Sequence, residues 1–293
     1  MYYNITGYST ALFSTWYFID ELRLLFDAGD GLVANLLQKS RKIDHVFISH
    51  ADRDHVTGLL QFNQLNSRAG FPIIYYPKDS GSFPALSKFS RKFDPHVVGT
   101  VWTPISPEHD VPIKKDMFIR SIANTHAAEK GGIRSLSYKV IQTKLKLNPE
   151  LVKLPAEDIR HIIEQKGKAS THTEVQTNLI SYSGDTPVED LTRWENSQIL
   201  IHEATFLRDD DEEREPGPHT HKHSYLEEVM EMVSGSNIEQ LILGHFSSRY
   251  NAEQIDSRIL ELCEKYAINI PVFRVLPGQV GHNILSGQPV NGK

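Results

Sequence analysis

Ser49-His50-Ala51-Asp52-Arg53-Asp54-His55-Val56-Thr57-Gly58 places two histidines and two aspartates within six residues, in the spacing H-x-D-x-D-H. Val46-Phe47-Ile48-Ser49 before it is a short apolar, β-branched run, and Val56 to Ser67 after it carries helical spacing. The cluster is therefore expected at a turn between a strand and a helix. Imidazole and carboxylate together suit Zn²⁺, and also Mn²⁺ or Fe²⁺, whereas a site without thiolate is not a structural zinc finger. The bland alternative is a solvated turn whose acids cap the next helix. Asp54 could do that alone, but capping gives no reason for both His50 and His55.

The same pattern recurs along the chain. Met117 to Ile122 runs into Asn124-Thr125-His126, Asn178 to Tyr182 leads to Ser183-Gly184-Asp185, and Gln240 to Leu243 leads to Gly244-His245. A further run, Gln198 to Ile201, ends on His202-Glu203. Taken singly, His126, Asp185 and His245 are ordinary core or surface residues; at strand ends alongside the cluster they become candidate ligands. Helical spacing between the runs, clearest at Val56 to Ser67 and Ser224 to Val233, argues for a layered α/β architecture with ligands beyond the carboxyl ends of strands. The pattern breaks at about 141–177, a lysine-bearing stretch taken as an insertion, with one helix expected over Ala156 to Lys166.

Composition narrows the classes. The chain has 293 residues, 39% hydrophobic and 23% charged, enough for a sizeable core in one large layered domain or two smaller ones. Net charge is −6, which excludes a globally basic nucleic-acid footprint but not a nuclease, because metals or a local patch can grip phosphate. The N-terminal stretch lacks a basic start, and Asp20, Glu21, Arg23 and Asp27 interrupt it, so neither a signal peptide nor a membrane span is expected. Cys263 is the one cysteine and has no internal partner, making the cytoplasm the expected compartment. With Ile255, Ile259 and Leu262 it shares one face of an expected helix.

His50 to Gly58, followed by His126, Asp185 and His245, resembles the motif series of the metallo-β-lactamase superfamily, and Leu24-Leu25-Phe26-Asp27-Ala28-Gly29 resembles the strand and turn that open that fold. Within it, Tyr182-Ser183-Gly184-Asp185-Thr186, Ile201-His202-Glu203-Ala204-Thr205-Phe206, His223-Ser224 and His245-Phe246-Ser247-Ser248-Arg249-Tyr250 resemble, in order, stretches of ribonuclease Z, the tRNA 3′-end endonuclease. The resemblance implies one αββα four-layer sandwich domain over residues 1–293, with a homodimer left open. It implies two divalent metal ions, expected to be Zn²⁺ with Mn²⁺ or Fe²⁺ as alternatives. His50, Asp52 and His126 would hold one ion, Asp54, His55 and His245 the other, and Asp185 would bridge them. Asp54, Glu203 and His223 would be catalytic: Asp54 orients a metal-activated water, and the Glu203–His223 pair places a proton donor near the leaving oxygen.

Two departures qualify the match. Asp52 stands where ribonuclease Z usually has a histidine, which makes the site harder and more anionic and leaves metal identity open. The arm and basic loop that grip tRNA in that family have thin counterparts here: the insertion holds only Pro149, Pro155 and Gly167 of the arm's types, and Tyr8 to Phe18 is aromatic and almost uncharged. A phosphodiester substrate, with RNA among the candidates, is thus favoured over precursor tRNA specifically. A lactone, thioester or β-lactam hydrolase on the same fold stays open, as does a catalytically silent metal- or nucleotide-binding relative. His219 and His221 alternate with His223 in a Gly-Pro-flanked stretch and read as a mobile metal-scavenging loop; His202 reads as packing or orienting its neighbours.

Overall fold

The computed structural model describes residues 3–127, 132–207 and 222–293. The first half of the chain builds one sheet. β1 (Ile5–Thr10) and β2 (Ser14–Ile19) form an antiparallel hairpin, and β3 (Leu24–Phe26) pairs antiparallel with β2. α1 (Leu32–Leu36) leads to β4 (His45–Phe47), α2 (Arg53–Val56) and α3 (Leu59–Asn66) lead to β5 (Ile73–Pro77), and α4 (Ser82–Phe93) leads to β6 (Val101–Ile105). β3 to β6 are parallel neighbours, giving the order β1-β2-β3-β4-β5-β6.

The second half repeats the plan. β7 (Asp110–Lys114), β8 (Met117–Ala123) and β9 (Leu136–Leu147) form an antiparallel meander; α5 (Ala156–Lys166) precedes β10 (His172–Tyr182), again antiparallel to β9. β11 (Ser197–Glu203), α6 (Leu226–Ser234), β12 (Gln240–Gly244), α7 (Ala252–Lys265) and β13 (Val272–Arg274) complete a seven-stranded sheet in which β10 to β13 are parallel.

Three apolar clusters make four layers of these parts. Successive side chains of a strand point to opposite faces, so a strand buried on both sides reads as a continuous apolar run. Leu24, Phe26 and Phe47 meet Tyr182, Ile199, Ile201 and Ile242 between the sheets. The alternate residues Leu25, Val46 and Ile48 pack outward with Leu32, Leu36, Leu59 and Phe62 of α1 and α3. On the other sheet, Leu200, Leu241 and Leu243 pack outward against α6 and α7, including Ile255, Ile259, Leu262 and Cys263. The architecture is the expected αββα sandwich. Among the described residues no helix is long and apolar enough to cross a membrane.

Two expectations shift in detail. The helix expected from Val56 to Ser67 starts earlier, at Arg53, and is interrupted between α2 and α3 because the Gly58 amide donates to the Ala28 carbonyl at 2.8 Å. The stretch at about 141–177 is not irregular: β9 and β10 continue into it as paired strands out to Leu147 and His172, and α5 fills the span expected for it. Its polar pattern reflects exposure of both strands there rather than loss of strand.

Gly58 explains the last position of the quoted motif. A Cβ there would stand 2.2 Å from the Gly29 carbonyl oxygen and 2.9 Å from that of Ala28. Both are backbone atoms of the turn after β3, so the turn and the start of α3 close upon each other only through hydrogen. Gly58→Ala should destabilise the protein by about 1–3 kcal/mol, the usual cost of overpacking; denaturant unfolding of the two proteins measures it, and equal midpoints would refute the close-approach account.

Candidate metal centre

The strand ends deliver their polar residues to one place. His50 follows β4, His126 follows β8, Asp185 follows β10 and His245 follows β12, while Asp54 and His55 ride on α2. Asp54, His55, Asp185 and His245 form one group whose candidate ligand atoms all lie within 4.8 Å of one another, and His50, Asp52 and His126 form a second by the same measure. Asp185 stands between them: its Oδ2 is 3.2 Å from His55 Nε2, 3.3 Å from His245 Nε2 and 3.7 Å from His50 Nε2. Asp52 Oδ2 lies 3.6 Å from both His50 Nε2 and His126 Nε2. Except for Asp52, whose side chain is 64% exposed, all seven are buried.

Each histidine is anchored through Nδ1 and aims Nε2 inward. His55 Nδ1 donates to Asp27 Oδ2 at 2.7 Å, and His50 Nδ1 meets Ser49 Oγ at 2.9 Å, whose own proton goes to Asp27 Oδ2 at 2.7 Å. His126 Nδ1 donates to the Lys222 carbonyl at 2.9 Å, and His245 Nδ1 meets Thr205 Oγ1 at 2.9 Å, whose proton goes to Glu203 Oε2 at 2.6 Å. Fixing the proton on Nδ1 leaves the Nε2 lone pair for a metal. His50 Nε2 is buried with no hydrogen-bond partner, a costly arrangement unless another ligand takes it. With an N/O donor set lacking thiolate, the residues fit divalent metal binding.

The electrostatics agree. Burial, with His55 beside it, lowers the pKa of His50 and keeps it neutral. Burial also penalises a charged His55, but the charges of Asp185 and Asp27 outweigh it and hold its pKa well above the ordinary value. Asp185 is pulled well below the carboxylate range, His245 and His55 overcoming its burial. Hydrogen bonds from His126 and His50 hold Asp52 low.

Glu203 and His223 meet beside this group. His223 Nδ1 is 3.2 Å from both carboxylate oxygens of Glu203 and 3.9 Å from Asp185 Oδ2. Burial works against a charged imidazole, yet the charge and hydrogen bond of Glu203, with Asp185, push the pKa of His223 up to about 9. The Glu203 carboxylate is fixed in turn by the Thr186 amide at 2.6 Å. His202 points elsewhere, edge-on to Trp194 with ring centroids 6.0 Å apart, and packs as expected. His219 and His221 lie outside the described residues. Missed in the sequence were the orienting groups Asp27, Ser49 and Thr205. Asp27 had a signal, since it too is an acid ending an apolar run; the two hydroxyls had none.

The chain belongs to the beta-lactamase superfamily, whose domain model matches residues 22–246. It is a hydrolase of the metallo-β-lactamase fold. It is 26% identical to the chloroplastic tRNase Z TRZ2 of Arabidopsis thaliana over 278 residues, covering 92% of this chain and 74% of the relative. With the ribonuclease Z of Macrococcus caseolyticus it shares 27% identity over 270 residues, 82% of this chain and 83% of the relative. The crystal structure of the metallo-β-lactamase fold protein YhfI from Bacillus subtilis superposes with a TM-score of 0.60 at 14% identity, covering 94% of this chain and 98% of that one.

Two outcomes follow from the anchoring. Asp27→Asn should weaken divalent-metal binding by about 10–100-fold, the usual cost of losing an outer-shell partner; chelator competition reads this, and unchanged affinity would show that Asp27 does not orient the ligands. Because His55 holds its proton in the metal-free centre, cation uptake must expel it, so affinity should fall as pH falls. Calorimetry in buffers of different ionisation enthalpy should detect that release.

Proposed function

We propose that this protein hydrolyses a phosphodiester, with RNA as the favoured substrate class, at a centre of two divalent ions, Zn²⁺ being the best fit. His50, Asp52 and His126 would hold one ion, Asp54, His55 and His245 the other, and Asp185 would bridge. The observation that carries this is the position of Asp185 Oδ2, within 3.2 to 3.7 Å of three Nε2 atoms belonging to both groups. The ribonuclease Z names of the relatives, at 26% and 27% identity over most of their lengths, support the choice of bond. When bound, such a pair of ions acidifies a water and polarises a phosphoryl oxygen.

The chain's own residues do the rest. Asp54 Oδ2 accepts the Leu12 amide at 3.1 Å, which fixes the carboxylate where it can orient a nucleophilic water. His223, its pKa pushed up to about 9, carries a proton at neutral pH and is partly exposed, so it can give that proton to the departing oxygen. Glu203 aligns the ring and keeps it charged.

Asp54→Ala should abolish turnover of bis(p-nitrophenyl) phosphate by the metal-loaded protein while circular dichroism stays native. Equal activity in the two would defeat the assignment. His223→Ala should lower kcat by about 10²–10⁴, the range for a general acid, whereas His219→Ala should leave it nearly unchanged; matching losses would mean that the stretch acts only structurally. Robust lactone cleavage without any phosphodiester turnover would replace the phosphodiester assignment.

A further inference from the structure

α4 touches two different openings. Its first turn, at Gly81 and Ser82, lines the mouth of the metal centre together with Asp52, His126 and Lys222. Its later turns form one wall of a groove of about 990 Å³ whose opposite wall is the free edge of the first sheet at β6. From Ser82 to Arg91 the helix advances about 14 Å at 1.5 Å per residue, and the two openings share no lining residue.

Its chemistry is one-sided. Lys88, Arg91 and Lys92 line it from α4, Trp102 from β6, and no carboxylate is among its lining residues. The three cations are exposed, and none has an ion pair among the described residues. This is a local reversal of sign in a chain of net charge −6. Val98, on the same wall as Trp102, is 71% exposed. Unpaired cations facing a half-buried indole across an open groove match what a flexible polyanion with aromatic bases needs: phosphates meet Lys and Arg, and a base can lie on the ring. A duplex is poorly served, because its bases are stacked away from such a surface.

We propose that this groove binds single-stranded RNA. The identity of the ligand rests on the phosphodiester function above; binding in the groove does not require turnover. It differs from the arm beyond Ile141, where lysines are interleaved with Glu150, Glu157, Asp158 and Glu164.

The test uses the full chain, freed of metal by chelation so that nothing is cleaved, and a fluorescein-labelled single-stranded RNA of roughly twelve nucleotides. Fluorescence anisotropy over about 50–200 mM salt gives affinity and salt slope. The triple variant Lys88→Ala, Arg91→Ala, Lys92→Ala should weaken binding at least tenfold and reduce the slope of log K against log salt by about 2, since each single-strand phosphate contact contributes about 0.7. Trp102→Ala should weaken binding with an unchanged slope. In the metal-loaded protein, turnover of bis(p-nitrophenyl) phosphate, too small to reach the groove, should be the same in the triple variant and the wild type. Unchanged RNA affinity in the triple variant overturns the proposal. So does a loss seen only when Lys144, Lys146 and Lys153 of the arm are replaced. Absence of phosphodiester turnover alongside intact groove binding would remove the function above and leave the groove standing.

Discussion

The carboxylate of Asp27 has no contact with solvent and accepts four hydrogen bonds: from the Ser49 amide, the Ser49 hydroxyl, His55 Nδ1 and the Tyr182 hydroxyl. An ionised carboxylate taken out of water costs several kcal/mol unless such donors surround it, so these four groups and Asp27 are obliged to stay together. Three of the donors belong to the segment that carries the H-x-D-x-D-H motif. The fourth belongs to β10, on the opposite sheet. One buried charge therefore sets the rotation of His50 and His55 and also pins the two sheets at the edge where the centre lies. Asp27 itself adopts a left-handed backbone, φ 53°, which turns its side chain beneath the loop instead of along the strand.

The other half of the centre is organised in the same way around Glu203. Asp27 holds His55 directly and His50 through the Ser49 hydroxyl; Glu203 holds His223 directly and His245 through the Thr205 hydroxyl. In each case a hydroxyl passes the carboxylate's demand for a proton on to a second ring, and that demand decides which nitrogen stays bare. The difference between the two halves is exposure. Asp27 and its histidines are sealed in, whereas the ring of His223 is partly exposed and the Glu203 carboxylate holds its pKa up to about 9.

What could be read from the sequence was governed by how local the signal is. The quoted cluster and the short runs ending at His126, Asp185, Glu203 and His245 show a strand's burial on two faces and its polar end within a few residues, and so are visible in one dimension. The helix over Ala156 to Lys166 was visible for the same reason. The strands around it were not, because the exposed end of β9, Thr143 to Leu147, and the exposed start of β10, His172 to Thr177, are largely polar and look like loop. Ser49 and Thr205 were invisible as orienting groups: a hydroxyl gains that role only from the residue across from it, and Thr205 is 40 positions from the histidine it serves. The alternation of strands and helices placed the strand-end residues on one edge with the cluster, but which of them would share an ion came only from family resemblance, since spacing does not say which side chains meet.

Because Asp54, on α2 after β4 of the first sheet, and His245, after β12 of the second, are 191 residues apart, any ion they shared would be a cross-link between the two halves of the sandwich. It would close a loop longer than half the chain, a constraint whose entropic value grows only slowly with length but which here joins the two sheets. The centre would then report on its own scaffold: a molecule whose layers have slipped presents two incomplete sets of ligands and holds its cations weakly. Loss of metal in an ageing or heated sample would thus mark the sliding of sheet on sheet before either sheet has melted.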